Sequence, residues 1–200
     1  MGCRGRGAPG HGRRGGGRPW ARDRRGTDDH HLPDRGALPP YYHGYLTHAQ
    51  GVTAILGALE EQADALTRML GGLTPEQEVH RYAPGKWTVR EVLGHLIDTE
   101  RVFQLRALWF ARTDPQALPG YDENLWAAAS NAGALPMDRL LAEYHAVRAS
   151  SLALWGNMGE DLLLRSGEAN GRRFQVGAIP WFILGHERHH QGILRDRYGV

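Results

Sequence analysis

Four long stretches of this chain repeat apolar residues at three- and four-residue steps, and none alternates at two for any length. Such a chain has four apolar stripes to bury, and packing helix against helix buries them. The first stretch spans residues 44–70, where Val52, Ile55, Leu56, Leu59, Ala63, Leu66 and Leu70 form the stripe and Gly71-Gly72 ends it. The second opens sharply. Thr88-Val89-Arg90-Glu91 has the form of a capping box, in which hydroxyl and carboxylate satisfy otherwise orphaned amides. It continues through Val92, Leu93, Leu96, Val102, Phe103 and Leu108 to about Arg112. The third covers 137–155 with Leu140, Leu141, Tyr144, Val147, Leu152 and Trp155. The fourth covers 175–198, with Pro180 near its start, where a missing amide is tolerated. The polar stretch 74–86 is broken by Pro75 and Pro84-Gly85. Residues 113–135 are too long for a turn between antiparallel neighbours, even with a short helix at 123–130. A connection of that length can cross the whole bundle and let the second and third helices run parallel. The expected fold is all-α, a four-helix bundle with a long crossover between helices two and three.

Composition divides the chain near residue 38. Residues 1–38 hold nine Arg, four Asp and ten Gly, with almost no aliphatic side chains to bury against the entropy of ordering them. They are expected to form a disordered tail, with the bundle in residues 39–200. The tail carries a net charge of +5, so the overall +2 leaves −3 for the remainder, which has no continuous basic stripe. The folded part is therefore not expected to bind nucleic acid. For the tail the preferred reading is a functionless extension from a start site assigned too early, ahead of phosphate contact with nucleic acid or a targeting role. The single cysteine, Cys3, lies in the tail, so residues 39–200 contain no disulfide, cysteine-based zinc site or catalytic thiol. No run of 18 apolar residues occurs, so no membrane span is expected, and a reducing cytoplasm fits best.

The fourth stretch carries the most informative residues. On a helical period Ile179, Phe182, Ile183, His186, His190, Ile193 and Arg197 share one face, so two imidazoles one turn apart interrupt the stripe that should enter the core. A lone histidine on such a face is usually a hydrogen-bonded core residue. A pair at i, i+4 is harder to account for that way, because two buried rings both need partners. His95 lies in the second helix beside the inward positions Val92 and Leu96, and supplies a third nitrogen if the two helices are neighbours. Three neutral imidazoles would leave a divalent ion with its charge unquenched and a coordination position open, which marks a reactive rather than a structural site. Imidazole suits zinc, nickel, iron and copper alike.

His186-Glu187-Arg188-His189-His190 also satisfies the zinc-protease pattern H-E-x-x-H, with Glu187 as general base. That reading is disfavoured. Only ten residues follow, Ile193 stands where a glycine would turn the chain back, and Asp196 points away from His190 on a continuing helix. His189 is a neighbour in space or simply exposed, and His43, His48, His80 and His145 suit surface or capping roles. Asp98, one turn after His95, is a candidate to orient that ring. Arg101, Arg106 and Arg112 could line a pocket for an anion, although a solvated face with local ion pairs to Asp98 and Glu100 is the preferred account.

With those residues identified, the sequence resembles the DinB-like superfamily of metal-binding four-helix bundles. The resemblance is carried by Tyr82-Ala83-Pro84-Gly85-Lys86-Trp87-Thr88-Val89-Arg90-Glu91-Val92-Leu93-Gly94-His95-Leu96-Ile97-Asp98-Thr99-Glu100-Arg101 and by Gly185-His186-Glu187-Arg188-His189-His190, and extends over residues 42–198. It implies an up-down-down-up bundle whose metal triad is His95, His186 and His190, and a homodimer as a common assembly. Characterised relatives include transferases that use low-molecular-weight thiols such as bacillithiol, mycothiol or glutathione. The leading expectation is thus a metal-dependent transferase coupling such a thiol to a small electrophile, with one divalent ion, zinc ahead of nickel or iron. A hydrolase using metal-bound hydroxide and a non-catalytic metal-binding stress protein are the alternatives.

Overall fold

The computed structural model describes residues 32–113 and 117–200. The chain forms α1 (His43–His48), α2 (Ile55–Leu70), α3 (Pro75–Glu78), α4 (Val89–Arg112), α5 (Glu123–Ala129), α6 (Met137–Gly156), α7 (Glu160–Leu163) and α8 (Ile179–Ile193), with a hairpin of β1 (Ser166–Ala169) and β2 (Arg172–Gln175) before α8. The long helices α2, α4, α6 and α8 are the bundle.

Side-chain contacts fix its directions. Arg101 meets Glu143, and three residues on Gln104 meets Ser151, so α4 and α6 run parallel. His95 meets His186 while Phe103 meets Phe182, so α4 and α8 are antiparallel. Thr67 meets His145 while the Leu59 carbonyl accepts from Arg148, so α2 and α6 are antiparallel. The order is therefore up-down-down-up, as the resemblance implied and the long connection allowed. A 24-residue helix is about 36 Å long, and the crossover must travel back along it. It pairs Leu118 with the hairpin at Glu168 and Asn170, then lays α5 and Ala132 over α4. Gly94 permits this approach, since a Cβ there would sit 2.5 Å from the Ala132 methyl.

Three expectations change. The first stretch is two helices, because Gly51 takes a left-handed φ of 80° and Ala54 is extended before α2 begins. The hairpin had a local signal: Asn170 and Gly171, at φ 53° and 67°, are the residue pair that two-residue hairpin turns favour. The last turn of α8 widens at Leu194–Tyr198, which rotates Leu194 and Tyr198 inward and leaves Arg197 exposed. The expected tail lies outside the described residues as far as position 31. Of the rest, Asp34 caps a turn at Arg35–Ala37 and Leu38 is buried in the core. Among the described residues no helix is long and apolar enough to cross a membrane.

The apolar core has two halves. One gathers Ile55, Leu59, Phe103, Phe110, Trp155, Trp181 and Phe182. The other gathers Leu66, Leu70, Leu93, Leu96, Leu140, Tyr144 and Leu194. Between them all four helices place buried polar side chains: Gln62 on α2, Thr99 and Glu100 on α4, Arg148 and Ser151 on α6, and His186, Glu187 and Gln191 on α8. This polar waist contains both clusters described next.

Candidate metal centre

The α4 helix is started firmly. The Glu91 amide donates to Thr88 Oγ1 at 3.1 Å and the Thr88 amide to Glu91 Oε2 at 2.7 Å, completing the capping box. Arg81 pairs with Glu91 from the preceding loop. Trp87, just before the cap, packs its ring 4.7 Å from His95, and its carbonyl accepts from the Tyr198 hydroxyl at 2.6 Å. One residue thus ties the start of α4 to the end of α8. On α8, Pro180 occupies the first turn, and Gly185 lies against the Tyr45 carbonyl so closely that no Cβ could be accommodated. Both Gly94-His95 and Gly185-His186 place a histidine next to a point of closest backbone approach.

The three histidines converge. His95 Nε2 and His186 Nε2 are 3.1 Å apart, and one nitrogen from each of His95, His186 and His190 lies within 4.8 Å of the other two. Nitrogens held by one tetrahedral ion at about 2.1 Å would be about 3.4 Å from each other. His95 and His186 stand close to that spacing, and the His190 nitrogen lies within 4.8 Å of both. Burial lowers the pKa of His95 to about 4. Burial, then the neighbouring rings, lowers His190 to about 3 and His186 well below its ordinary value. At neutral pH all three are uncharged and present lone pairs, the form in which imidazole binds metals. The donor set and its spacing therefore fit a divalent ion.

The surroundings of His95 differ from expectation. Asp98 turns towards Arg101, 3.7 Å away, and makes no bond to the ring. Thr99, the other neighbour one turn on, stands 3.5 Å from His95 Nδ1, and its hydroxyl bonds the Tyr121 hydroxyl at 2.8 Å. Thr99 was accessible from helical spacing. Tyr121 was not, because the crossover brings it there. Tyr45 of α1 packs edge-on against His186, with ring centres 5.4 Å apart.

Glu187 does not face the histidines' meeting point. Its carboxylate accepts from the Tyr144 hydroxyl at 2.9 Å, Arg148 at 2.6 Å and Gln191 at 3.0 Å. Arg148 also donates twice to Glu100, at 2.9 Å each, and to the Leu59 carbonyl. With its acceptor sites occupied in a sealed ionic network, Glu187 is not placed as the base of a zinc protease. The remaining histidines stay apart: His43 bonds the Leu38 carbonyl, His145 bonds Thr67, His80 packs on Tyr198, and His48 faces the exposed His189. The three arginines separate too. Arg101 pairs with Glu143 on the surface, Arg112 is exposed, and Arg106 is buried.

Comparison with known proteins agrees with this arrangement. A protein of Geobacillus thermodenitrificans (strain NG80-2) named "Putative metal-dependent hydrolase" is 30% identical over 159 residues, covering 76% of this chain and 88% of that one. A protein of Geobacillus kaustophilus (strain HTA426) with the same description is 28% identical over 152 residues, covering 72% and 84%. Among solved structures, YfiT from Bacillus subtilis, described as "a probable metal-dependent hydrolase with an unusual four-helix bundle topology", superposes with a TM-score of 0.66 at 22% identity, over 72% of this chain and 86% of that one. At that identity the likeness speaks for the fold. The sequence model of the DinB superfamily matches residues 58–194, which include all four bundle helices from early α2 to the end of α8 and all three converging histidines, and the chain belongs to the DinB superfamily.

Proposed function

We propose that this protein is a metal-dependent hydrolase acting on a small ester or amide, with His95, His186 and His190 holding one divalent ion. The observation that carries the proposal is the meeting of three uncharged imidazoles from two helices at ligand spacing. When bound, such an ion supplies Lewis acidity, polarising a carbonyl and making water more acidic. Zinc is the first candidate, with nickel or iron behind it, since ligand type alone does not choose among them.

The chain's own groups have distinct parts in this reading. Thr99 and Trp87 hold the His95 ring from two sides. Burial keeps the Tyr121 phenol protonated against the opposing pull of Thr99 and Arg106, so it can donate a hydrogen bond to a substrate oxygen. The buried carboxylates Glu100 and Glu187 are bonded to Arg148, so an ion held by the three histidines would not be neutralised by them. The names of the Geobacillus relatives favour hydrolysis. Thiol transfer is the second reading, because residues 39–200 lack cysteine and a reacting thiol would have to arrive with a cofactor.

One set of measurements tests both. Metal analysis of the full chain is expected to find about one ion per protomer, with weakened binding in His95→Ala, His186→Ala and His190→Ala. A panel of esters and amides is expected to be hydrolysed without added thiol, and a chelator to abolish the activity. Turnover only with bacillithiol, mycothiol or glutathione present would replace hydrolysis by thiol transfer. Tight metal binding without turnover under either condition would make the protein a metal binder.

A further inference from the structure

The end of α8 departs from regular helix. From Leu194 to Tyr198 the backbone takes a wide turn, closed by the Gly199 amide donating to the Leu194 carbonyl five residues back. Turns of this kind hold about one residue more than an α-turn and are rare, and they occur often beside functional sites. The extra residue sets the positions that follow back by about 100°. On a continuing α-helix Arg197 would share the face of His190 and Ile193. Tyr198 takes that place instead, 9% exposed, and Arg197 is turned outward.

The wide turn makes a joint with the other histidine-bearing helix. The Tyr198 hydroxyl donates to the Trp87 carbonyl at 2.6 Å, and Trp87 stands immediately before the Thr88 cap of α4. Tyr82 meets the Tyr198 ring edge-on at 5.0 Å and His80 does so at 6.2 Å, both from the stretch that leads into α4. That stretch is itself braced, with Arg81 bonded to the Lys86 carbonyl and paired with Glu91. The Trp87 ring, whose backbone Tyr198 holds, lies 4.7 Å from His95 at an interplanar angle of 41°. His95 belongs to α4, and His186 and His190 belong to α8. The Tyr198–Trp87 bond thus joins the same two helices that a shared ion would join. It also fixes the wall on which the His95 ring rests.

We propose that Tyr198 is a positioning residue of the metal centre: its bond to Trp87 holds the indole against His95, so that the imidazole keeps the orientation in which the three nitrogens meet. The inference rests on the reading of the three histidines as a metal site. Groups that orient a liganding imidazole change metal affinity by about 10–100-fold when removed. Coupling of this kind is reciprocal. If the joint favours metal binding, metal binding favours the joint by the same factor. Occupancy of the histidine cluster is therefore transmitted to the C-terminal turn.

The test uses the full-length protein with cobalt(II), whose visible bands report the arrangement of its ligands. Tyr198→Phe keeps the ring and removes only the hydroxyl. It is expected to weaken cobalt binding about 10-fold in competition with a chromophoric chelator, and to alter the bands at saturating cobalt. Arg197→Ala, its exposed neighbour, is expected to change neither. Ile55→Val, in the other half of the core, lowers stability without touching the joint and is expected to leave affinity and bands as in wild type. Hydrogen exchange gives the reciprocal readout: zinc is expected to slow exchange of the Gly199 amide in wild type, and to slow it less in Tyr198→Phe. Equal affinity and identical bands in wild type and Tyr198→Phe would overturn the inference and leave the metal site standing. A loss of affinity shared by Ile55→Val would assign the effect to general stability and overturn it as well. A wild type that binds no cobalt would overturn the metal site and this inference together. Cobalt binding that depends on Tyr198, without hydrolysis of any ester, would uphold the inference and remove the hydrolase.

Discussion

Two polar clusters lie back to back in the waist of the bundle, and they solve the problem of burial in opposite ways. Around Arg148, donors and acceptors are matched: two carboxylates, a hydroxyl, an amide and a backbone carbonyl complete one another without outside help. Around His186, three uncharged rings turn their nitrogens to a common point with fewer donors than lone pairs to receive them. Adjacent residues of α8 serve the two clusters, Glu187 and Gln191 the first, His186 and His190 the second. A polar group buried in a matched network holds the fold. A group buried in an unmatched one keeps free capacity that a ligand could fill.

This contrast can be broken by substitution. The largest effect is expected from the matched cluster. Arg148→Ala strands Glu100 and Glu187 in the core, and denaturant titration should show a loss of about 3–5 kcal/mol. His186→Ala should do the reverse, weakening metal binding about 100-fold or more in competition with a chromophoric chelator while leaving the metal-free protein close to wild type in denaturant. If both variants lost stability equally, the histidines would be a structural network as well.

Acid offers a third probe. The folded protein holds His95, His186 and His190 below their unfolded pKa of about 6.5, so the unfolded chain binds more protons as pH falls. Metal-free stability should then be constant above about pH 6.5 and decline below it, by about 1.4 kcal/mol per pH unit for each ring, until His95 and His190 titrate near 4 and 3. Thermal unfolding between pH 4 and 8 measures this, and bound metal should raise the whole curve. The smallest effect is expected at the edge of the unmatched cluster. Thr99→Val removes the hydroxyl between His95 and Tyr121 and should weaken metal binding about 10-fold with little change in fold.

Much of this was legible in the sequence, for local reasons. The capping box at Thr88 set the start of α4, the i, i+4 spacing of His186 and His190 put two rings on one face, and the length of the crossover announced parallel neighbours. What failed depended on phase or on distant partners. Asp98 and Thr99 both follow His95 by about one turn, but three residues rotate back by about 60° and four forward by about 40°, which sends Asp98 to Arg101 and Thr99 to the ring. Glu187 fitted a protease motif, yet a step of one residue turns it into the core. Its pairing with Arg148 joins residues 39 positions apart, which no local pattern could signal. Tyr121 and the break at Gly51 were missed because both belong to connections, where backbone dihedrals rather than apolar spacing decide the outcome.

The divided core bears on how such a protein can change over time. The polar layer that holds the three histidines lies between the two apolar halves. Mutations at the two ends of the bundle can therefore accumulate, raising or lowering durability, without disturbing the histidine cluster. Innovation at the middle can draw on whatever reserve the ends have stored.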